Sequence, residues 1–283
     1  MSNWFISYSR PISQGFDIWS IITSDQGCLL GVTGPVQHTA LPNRSEIGTY
    51  HYACSGAEAE AVRRLIGPAL TEAAATDGMA YPPGTQLLSF GLGANGADNL
   101  DQSSSFALSQ PLPPALAKFD AAVIALARKT MDHPIMVLRA SSPDSAAYGP
   151  DGELRAILRL ANVGTAPLQI RHPAAAETPG LALIVWDPDD EVTFIDLKQG
   201  EVVQLGDDGK PLPGAPPALV KVKPGETVTL AIRIRRHLYL RRGTYKVEIR
   251  FTSNTKDILE TEAIKGFVQT AAGRIHVTAK SPK

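Results

Sequence analysis

The sequence predicts an α+β first domain, with a mixed sheet and two or three helices, followed by an all-β two-sheet sandwich. Three observations predict it. Residues 1–133 mix short runs rich in aromatic and β-branched side chains with two stretches of helical period, and such a mixture buries its apolar faces by layering helices on a sheet. From Ile135 onward strand-like runs follow one another with no helical period, which suits two stacked sheets. A chain of 283 residues, 43% of them hydrophobic, has length and apolar surface enough for two cores. The predicted domains are therefore 1–133 and 134–283.

The first elements are strands: WFISYSR (4–10), FDIWSIIT (16–23), CLLGVTG (28–34) and EIGTYHYAC (46–54), each bounded by Gly, Pro or Asp. The period then changes. Val62, Leu65, Ile66, Ala69, Leu70 and Ala73 follow the three-four spacing of an amphipathic helix, and Ser55 with Glu58 makes a capping box at its start. Pro68 removes a helical hydrogen bond and crowds the carbonyl of Arg64, so residues 55–77 are predicted to kink or divide after Gly67. LLSF (87–90) reads as a strand and the polar residues after it as a loop. A second helical region opens at Pro113-Pro114, carries Leu116, Phe119, Val123 and Leu126 on one face, and ends at His133-Pro134.

The second domain is predicted from about seven strands: 135–140, 153–162, 181–187, 191–196, 227–235, 244–251 and a last run near 275–279. Residues 201–205, the turn Gly206-Asp207-Asp208-Gly209 and the chain from Lys210 read as a hairpin whose Asp-Gly supplies positive φ.

Candidate sites are few. Gly91-Leu92-Gly93-Ala94-Asn95-Gly96 spells GxGxxG, but that string cradles a pyrophosphate only where a helix opens on it. The following residues are polar without helical period, and Asp98 and Asp101 would repel phosphate, so the segment reads as an acidic glycine loop suited to touching a partner. Cys54 precedes the capped helix with His51 three residues upstream, a spacing that suggests a nucleophile pair. Residues three apart in a strand point to opposite faces, however, and a small buried cysteine is the plainer reading. The six histidines show neither HxH nor HExxH spacing, and CxxC, GxSxG and Walker strings are absent. No catalytic, cofactor-binding or metal-binding residue is assigned.

Two charged stretches remain. Asp187, Asp189, Asp190 and Glu191 surround Pro188 after an apolar strand; a solvated turn is the plainer reading, the spacing does not match a calcium loop, and the carboxylates could instead imitate phosphates towards a basic partner. Arg233, Arg235, Arg236, His237, Arg241 and Arg242 make a basic cluster, read as a solvated sheet face or protein contact, because nucleic-acid binding calls for more positive charge and exposed aromatics. Trp4 and Trp19 lie in strand-like runs and are expected in the core. Lys plus Arg is 27 against 28 Asp plus Glu, so no overall field draws in nucleic acid or a membrane surface. The first residues lack a signal-like apolar stretch and no run reaches a membrane span. A cytoplasmic chain with Cys28 and Cys54 reduced is expected.

Three segments, LRLANVGTAPLQI (158–170), VKPGETVTLAI (222–232) and LRRGTYKVEIRF (240–251), give the second half a resemblance to the immunoglobulin-like and fibronectin-type sandwiches of bacterial proteins. The resemblance implies a strand, an Asn-x-Gly turn and a returning strand in the first segment, a Pro-Gly turn entering a strand in the second, and a tyrosine-containing penultimate strand in the third. It implies spacer or binding duty rather than catalysis. The whole chain is similar in general build to the immunity proteins that bacteria keep beside secreted antibacterial toxins, especially those of the type VI secretion system. That similarity implies a cytoplasmic, non-enzymatic inhibitor that occludes a cognate protein toxin, such as a nuclease. Asp98, Asp101, Asp187, Asp189, Asp190 and Glu191 are then the partner-binding candidates, and no cofactor, metal, nucleic acid or membrane is called for. Two rival readings stand beside it. One is an enzyme with a small-molecule site near Cys54 or His51 and an accessory sandwich; the other is an assembly component that pairs through its sheet edges.

Overall fold

A computed structural model of the chain describes residues 4–12, 16–23, 27–34, 41, 44–75, 81–83, 85–94, 100–149, 151–175, 179–236, 238, 240–253, 264 and 266–277. The backbone divides into two units, one of residues 1–44 and 48–135, the other of residues 45–47 and 136–283.

In the first unit, alternation of apolar and polar residues sets the sheet. Strands β1 (Trp4–Ile12), β2 (Phe16–Thr23), β3 (Gly27–Val32), β4 (Glu46–Tyr52, from Gly48 in this unit), β5 (Leu87–Ala94) and β6 (Leu100–Ala107) lie in the order β4-β3-β2-β1-β5-β6, each pair antiparallel. Ile6, Tyr8, Leu88, Phe90 and Phe106 point to one face and are buried. Ser7, Ser9, Ser89, Ser103 and Ser105 take the alternate positions on the other. Helices α1 (Gly56–Ala74) and α2 (Pro114–Thr130) cover the apolar face with Val62, Ile66, Leu70, Leu116, Phe119 and Val123.

Both helix starts are capped, by different means. Ser55 Oγ accepts the Glu58 N–H and Glu58 Oε2 accepts the Ser55 N–H, closing the predicted box. Pro113 offers no capping side chain; instead Glu72 Oε2 of α1 accepts the N–H groups of Ala115 and Leu116, at 2.7 and 3.1 Å, which also places a negative charge at the positive end of α2.

The predicted fold class needs correction here. The mixed sheet and α+β balance predicted for the first domain do not form: the two helices α1 and α2 lie on an antiparallel sheet, and the described residues are mostly β. Among the described residues, 51% are in strands and 16% in helices, and the sheet of the first unit pairs antiparallel throughout; β1, β2 and β3 follow one another through connections too short for a parallel crossover. Two local predictions also differ from the structure. Pro68 does not divide α1, which runs through it as one helix; Gly67 and Pro68 are on the exposed side, and Thr71 Oγ1 donates to the Gly67 carbonyl at 3.1 Å. The polar run after Leu100, predicted as loop, is strand β6, held by its ladder to β5.

The second unit is all-β among its described residues. One sheet orders β13 (Val202–Leu205), β15 (Thr227–Ile234), β9 (Leu154–Asn162) and β7 (Pro134–Ser141, from Met136 in this unit), with β8 (Ala147–Tyr148) also paired to β9. The other orders β12 (Val192–Asp196), β11 (Leu181–Trp186), β16 (Gly243–Ser253) and β17 (Gly266–Val277). Leu158, Leu160, Leu230 and Ile232 from the first share one core with Leu183, Val185, Val247, Ile249 and Phe251 from the second.

Two local features depart from or refine the sequence reading. Residues 163–170 do not return along β9. The buried Asn162 amide donates to the Ala166 and Val222 carbonyls and its Oδ1 accepts the Gly164 N–H, and β10 (Leu168–Arg171) pairs with β14 (Leu219–Val222) instead. The Asp208-Gly209 turn forms, with Gly206 N–H donating to the Lys210 carbonyl at 2.8 Å and Gly209 at φ +74°.

Candidate functional site

The acidic stretch 187–191 is the turn between β11 and β12, and its own hydrogen bonds fix its shape. Asp187 Oδ1 accepts the N–H groups of Asp189 and Glu191 at 2.9 and 2.8 Å, the Asp187 N–H donates to the Glu191 carbonyl, and the Asp190 N–H donates to the Asp187 carbonyl. Asp190 takes φ +60°, a left-handed conformation that Asp tolerates better than most residues. One carboxylate therefore organises the backbone, and those of Asp189, Asp190 and Glu191 stand exposed.

Strand β12, which leaves this turn, is an edge of its sheet. Its alternation puts Ile195 in the core and Val192 and Phe194 outside, with Phe194 56% exposed. The Arg250 guanidinium lies 5.4 Å from the Phe194 ring centre and 4.4 Å from that of Phe267. Its Nε and Nη2 donate to Gln269 Oε1, and Gln269 donates in turn to Glu248. An exposed aromatic held against a cation, beside three exposed carboxylates and a strand with no second strand partner among the described residues, has the composition of an interface: an apolar anchor, a charged rim and an open strand edge.

A cavity of about 410 Å³ opens beside the turn, lined by Trp186, Asp187, Pro188, Asp190, Thr244, Lys246 and Arg274. Trp186, Lys246 and Arg274 form one cross-strand row, since Trp186 pairs with Lys246 and Lys246 with Arg274. The Lys246 ammonium is 5.4 Å from the Trp186 ring centre and ion-pairs with Glu248.

The other sequence candidates are dispersed. Asp101 is exposed on β6 in the first unit, whereas residues 187–191 belong to the second; Asp98 lies outside the described residues, as do Asn95 and Gly96 of the glycine string. Gly91 and Gly93 sit within β5, where Gly91 pairs with Ser7 and Ser103, and the string continues into an antiparallel partner strand. A Cβ on Gly91 would come 2.7 Å from the Gln102 carbonyl oxygen. The residue serves a close approach between strands rather than a phosphate.

Cys54 and Cys28 are free thiols. Burial, with the Glu58 carboxylate nearby, raises the Cys54 pKa, and burial pushes Cys28 up to about 11. Both shifts disfavour the thiolate that a nucleophile requires. The predicted basic cluster is partly consumed by ion pairs: Arg235 contacts Glu153, and Arg236 contacts Glu201 and the Asp196 carbonyl. Arg233 is exposed on β15, Arg241 and Arg242 lie before β16, and His237 is outside the described residues. Trp4 is buried beneath Arg63; the side chain of Trp19 is outside the described residues. Among the described residues no group of three or more His, Cys, Asp or Glu side chains is placed to hold a metal ion, and no helix is long and apolar enough to cross a membrane.

Phe194 and Arg274 were not singled out from sequence. The period-2 pattern of EVTFID offers two registers, and only the pairing of Ile195 with the core residue Leu183 decides that Phe194 faces out.

No family model matches the sequence, and no curated protein matches it. Among solved structures, similarity is found to a family 123 glycoside hydrolase from Clostridium perfringens, at 12% identity and a TM-score of 0.27 over 48% of this chain and 23% of the hydrolase. It is also found to AvmM, which catalyses macrocyclization in alchivemycin A biosynthesis, at 13% identity and a TM-score of 0.26 over 52% of this chain and 92% of AvmM. The chain thus spans about a quarter of the hydrolase, and neither likeness is close enough to define a shared fold.

Proposed function

We propose that this chain is a cytoplasmic binding protein without catalytic activity of its own, an immunity protein of the type VI secretion kind that neutralises a cognate bacterial toxin by stoichiometric occlusion. The observation that carries the reading is the β11–β12 turn with its neighbour Phe194. Three exposed carboxylates on a backbone fixed by Asp187 imitate the phosphates that a nuclease cleft receives, and they do so without the entropy cost of ordering a loose loop. Phe194, 56% exposed, supplies the aromatic anchor that charge alone does not. The β12 edge offers backbone groups to an added strand. Asp101, exposed on β6 of the other unit, is a second acidic contact of the same chemistry.

The raised thiol pKa values of Cys54 and Cys28 weigh against the enzyme reading that relied on Cys54. The test is co-expression with the product of the adjacent gene. Co-elution as a complex of fixed stoichiometry, with protection of cells from that product, is the expected result; independent elution and no protection would remove the proposal.

A further inference from the structure

We propose that the cavity beside the acidic turn is a binding site for a free α-amino acid, recognised as a zwitterion. Its volume of about 410 Å³ falls within the roughly 300 to 1,000 Å³ of small-ligand pockets. Its lining carries both signs of charge. On the sheet floor Arg274 lies directly opposite Lys246 on the neighbouring strand, an arrangement of like charges that is unfavourable unless an anion lies between or above them. Lys246 is partly neutralised by Glu248. Arg274 is exposed and has no ion pair among the described residues. On the turn, Asp190 faces the same cavity and also makes no side-chain ion pair there. Two unpaired charges of opposite sign therefore line one cavity without meeting each other.

An α-amino acid fixes an ammonium and a carboxylate on a single carbon. Its carboxylate would be received by Arg274 and Lys246 and its ammonium by Asp190. Pro188, the Trp186 ring and Thr244 would bound the remaining space, with Thr244 steadied by the His276 ring nitrogen at 2.8 Å. Asp187 lines the cavity too, but its Oδ1 is committed to the turn, so it positions Asp190 rather than serving as the principal charge.

This inference is separate from toxin occlusion, and its test uses the full chain with no partner present. Titration calorimetry with each of the twenty free L-amino acids is expected to give saturable binding for at least one at or below about 10 mM. The N-acetyl derivative and the carboxamide of that amino acid each lose one charge and should bind about tenfold more weakly or worse, and Arg274→Gln and Asp190→Asn should each do the same while retaining the unfolding midpoint. Absence of saturation for all twenty, equal binding of a blocked derivative, or unchanged binding by Arg274→Gln would overturn it. Failure of the adjacent-gene complex would leave these results untouched.

Discussion

Tyr8, Arg10 and Asp120 form a largely buried polar cluster in the first unit. Tyr8 O–H donates to Asp120 Oδ1 at 2.6 Å, and the Arg10 guanidinium donates to the same oxygen. Burial, with the Asp120 charge, holds the Tyr8 hydroxyl well above its usual pKa, so it remains a donor at every physiological pH. Removing the carboxylate strands a buried hydroxyl and a guanidinium that is only 17% exposed. Asp120→Ala should therefore cost about 2 to 3 kcal/mol in urea unfolding, and a cost below about 0.5 kcal/mol would contradict this account. Nothing in the sequence announces the cluster, because Tyr8 and Asp120 are 112 positions apart and each reads locally as an amphipathic-face residue. Cys54 is the opposite case: its place before a helix is legible, but the effect of that place is not. A helix start alone would lower the thiol pKa, whereas burial and Glu58 raise it. Alkylation of the native chain by iodoacetamide at pH 8 should run slower than that of free glutathione; a faster rate would restore the nucleophile reading.

At the scale of elements, caps and close approaches decide what periodicity leaves open. The start of α1 was legible because its capping box is local. Glu58 also ion-pairs with Lys129 of α2 at 2.7 Å, and that contact, followed by the Ser55 hydrogen bonds, lowers its pKa from 4.5 to about 2. A carboxylate with a depressed folded pKa contributes stability that is complete above its unfolded value and is lost as pH falls through its folded one. The contribution of Glu58 should fade between about pH 4.5 and pH 2, and Glu58→Gln should lower the unfolding midpoint at pH 7 but flatten this part of the acid limb. Equal acid sensitivity in both proteins would show the pair to be inert. The start of α2 was visible as Pro113-Pro114, but its cap was not, because Glu72 arrives from another helix. Strand β6 is hidden for a similar reason: LDQSSSFA has little strand propensity and is held by its partner β5. Gly91→Ala tests that pairing. Its Cβ would press on the Gln102 carbonyl oxygen and should cost about 1 to 3 kcal/mol, measured by thermal unfolding; a neutral result would mean that the hairpin gives way easily.

For the molecule as a whole, the sequence made the succession of strands in the second unit legible, since apolar alternation there is regular and turns carry Gly, Pro and Asp. It did not reveal the all-antiparallel pairing of the first unit, which depends on connection length and tertiary partners rather than on period. The site was half legible in the same way. Asp187, Asp189, Asp190 and Glu191 stood out as a charged stretch, whereas Phe194, Lys246 and Arg274 join them only through the ladders of β12, β16 and β17. If this face occludes a toxin as proposed, the affinity of the purified chain for the product of its adjacent gene is the most direct measure of it. Tight binding is predicted to weaken by about thirtyfold or more in Phe194→Ala, and again when Asp189, Asp190 and Glu191 are changed together to their amides, with folding intact. No binding by the unaltered chain, or binding that neither change affects, would contradict the claim.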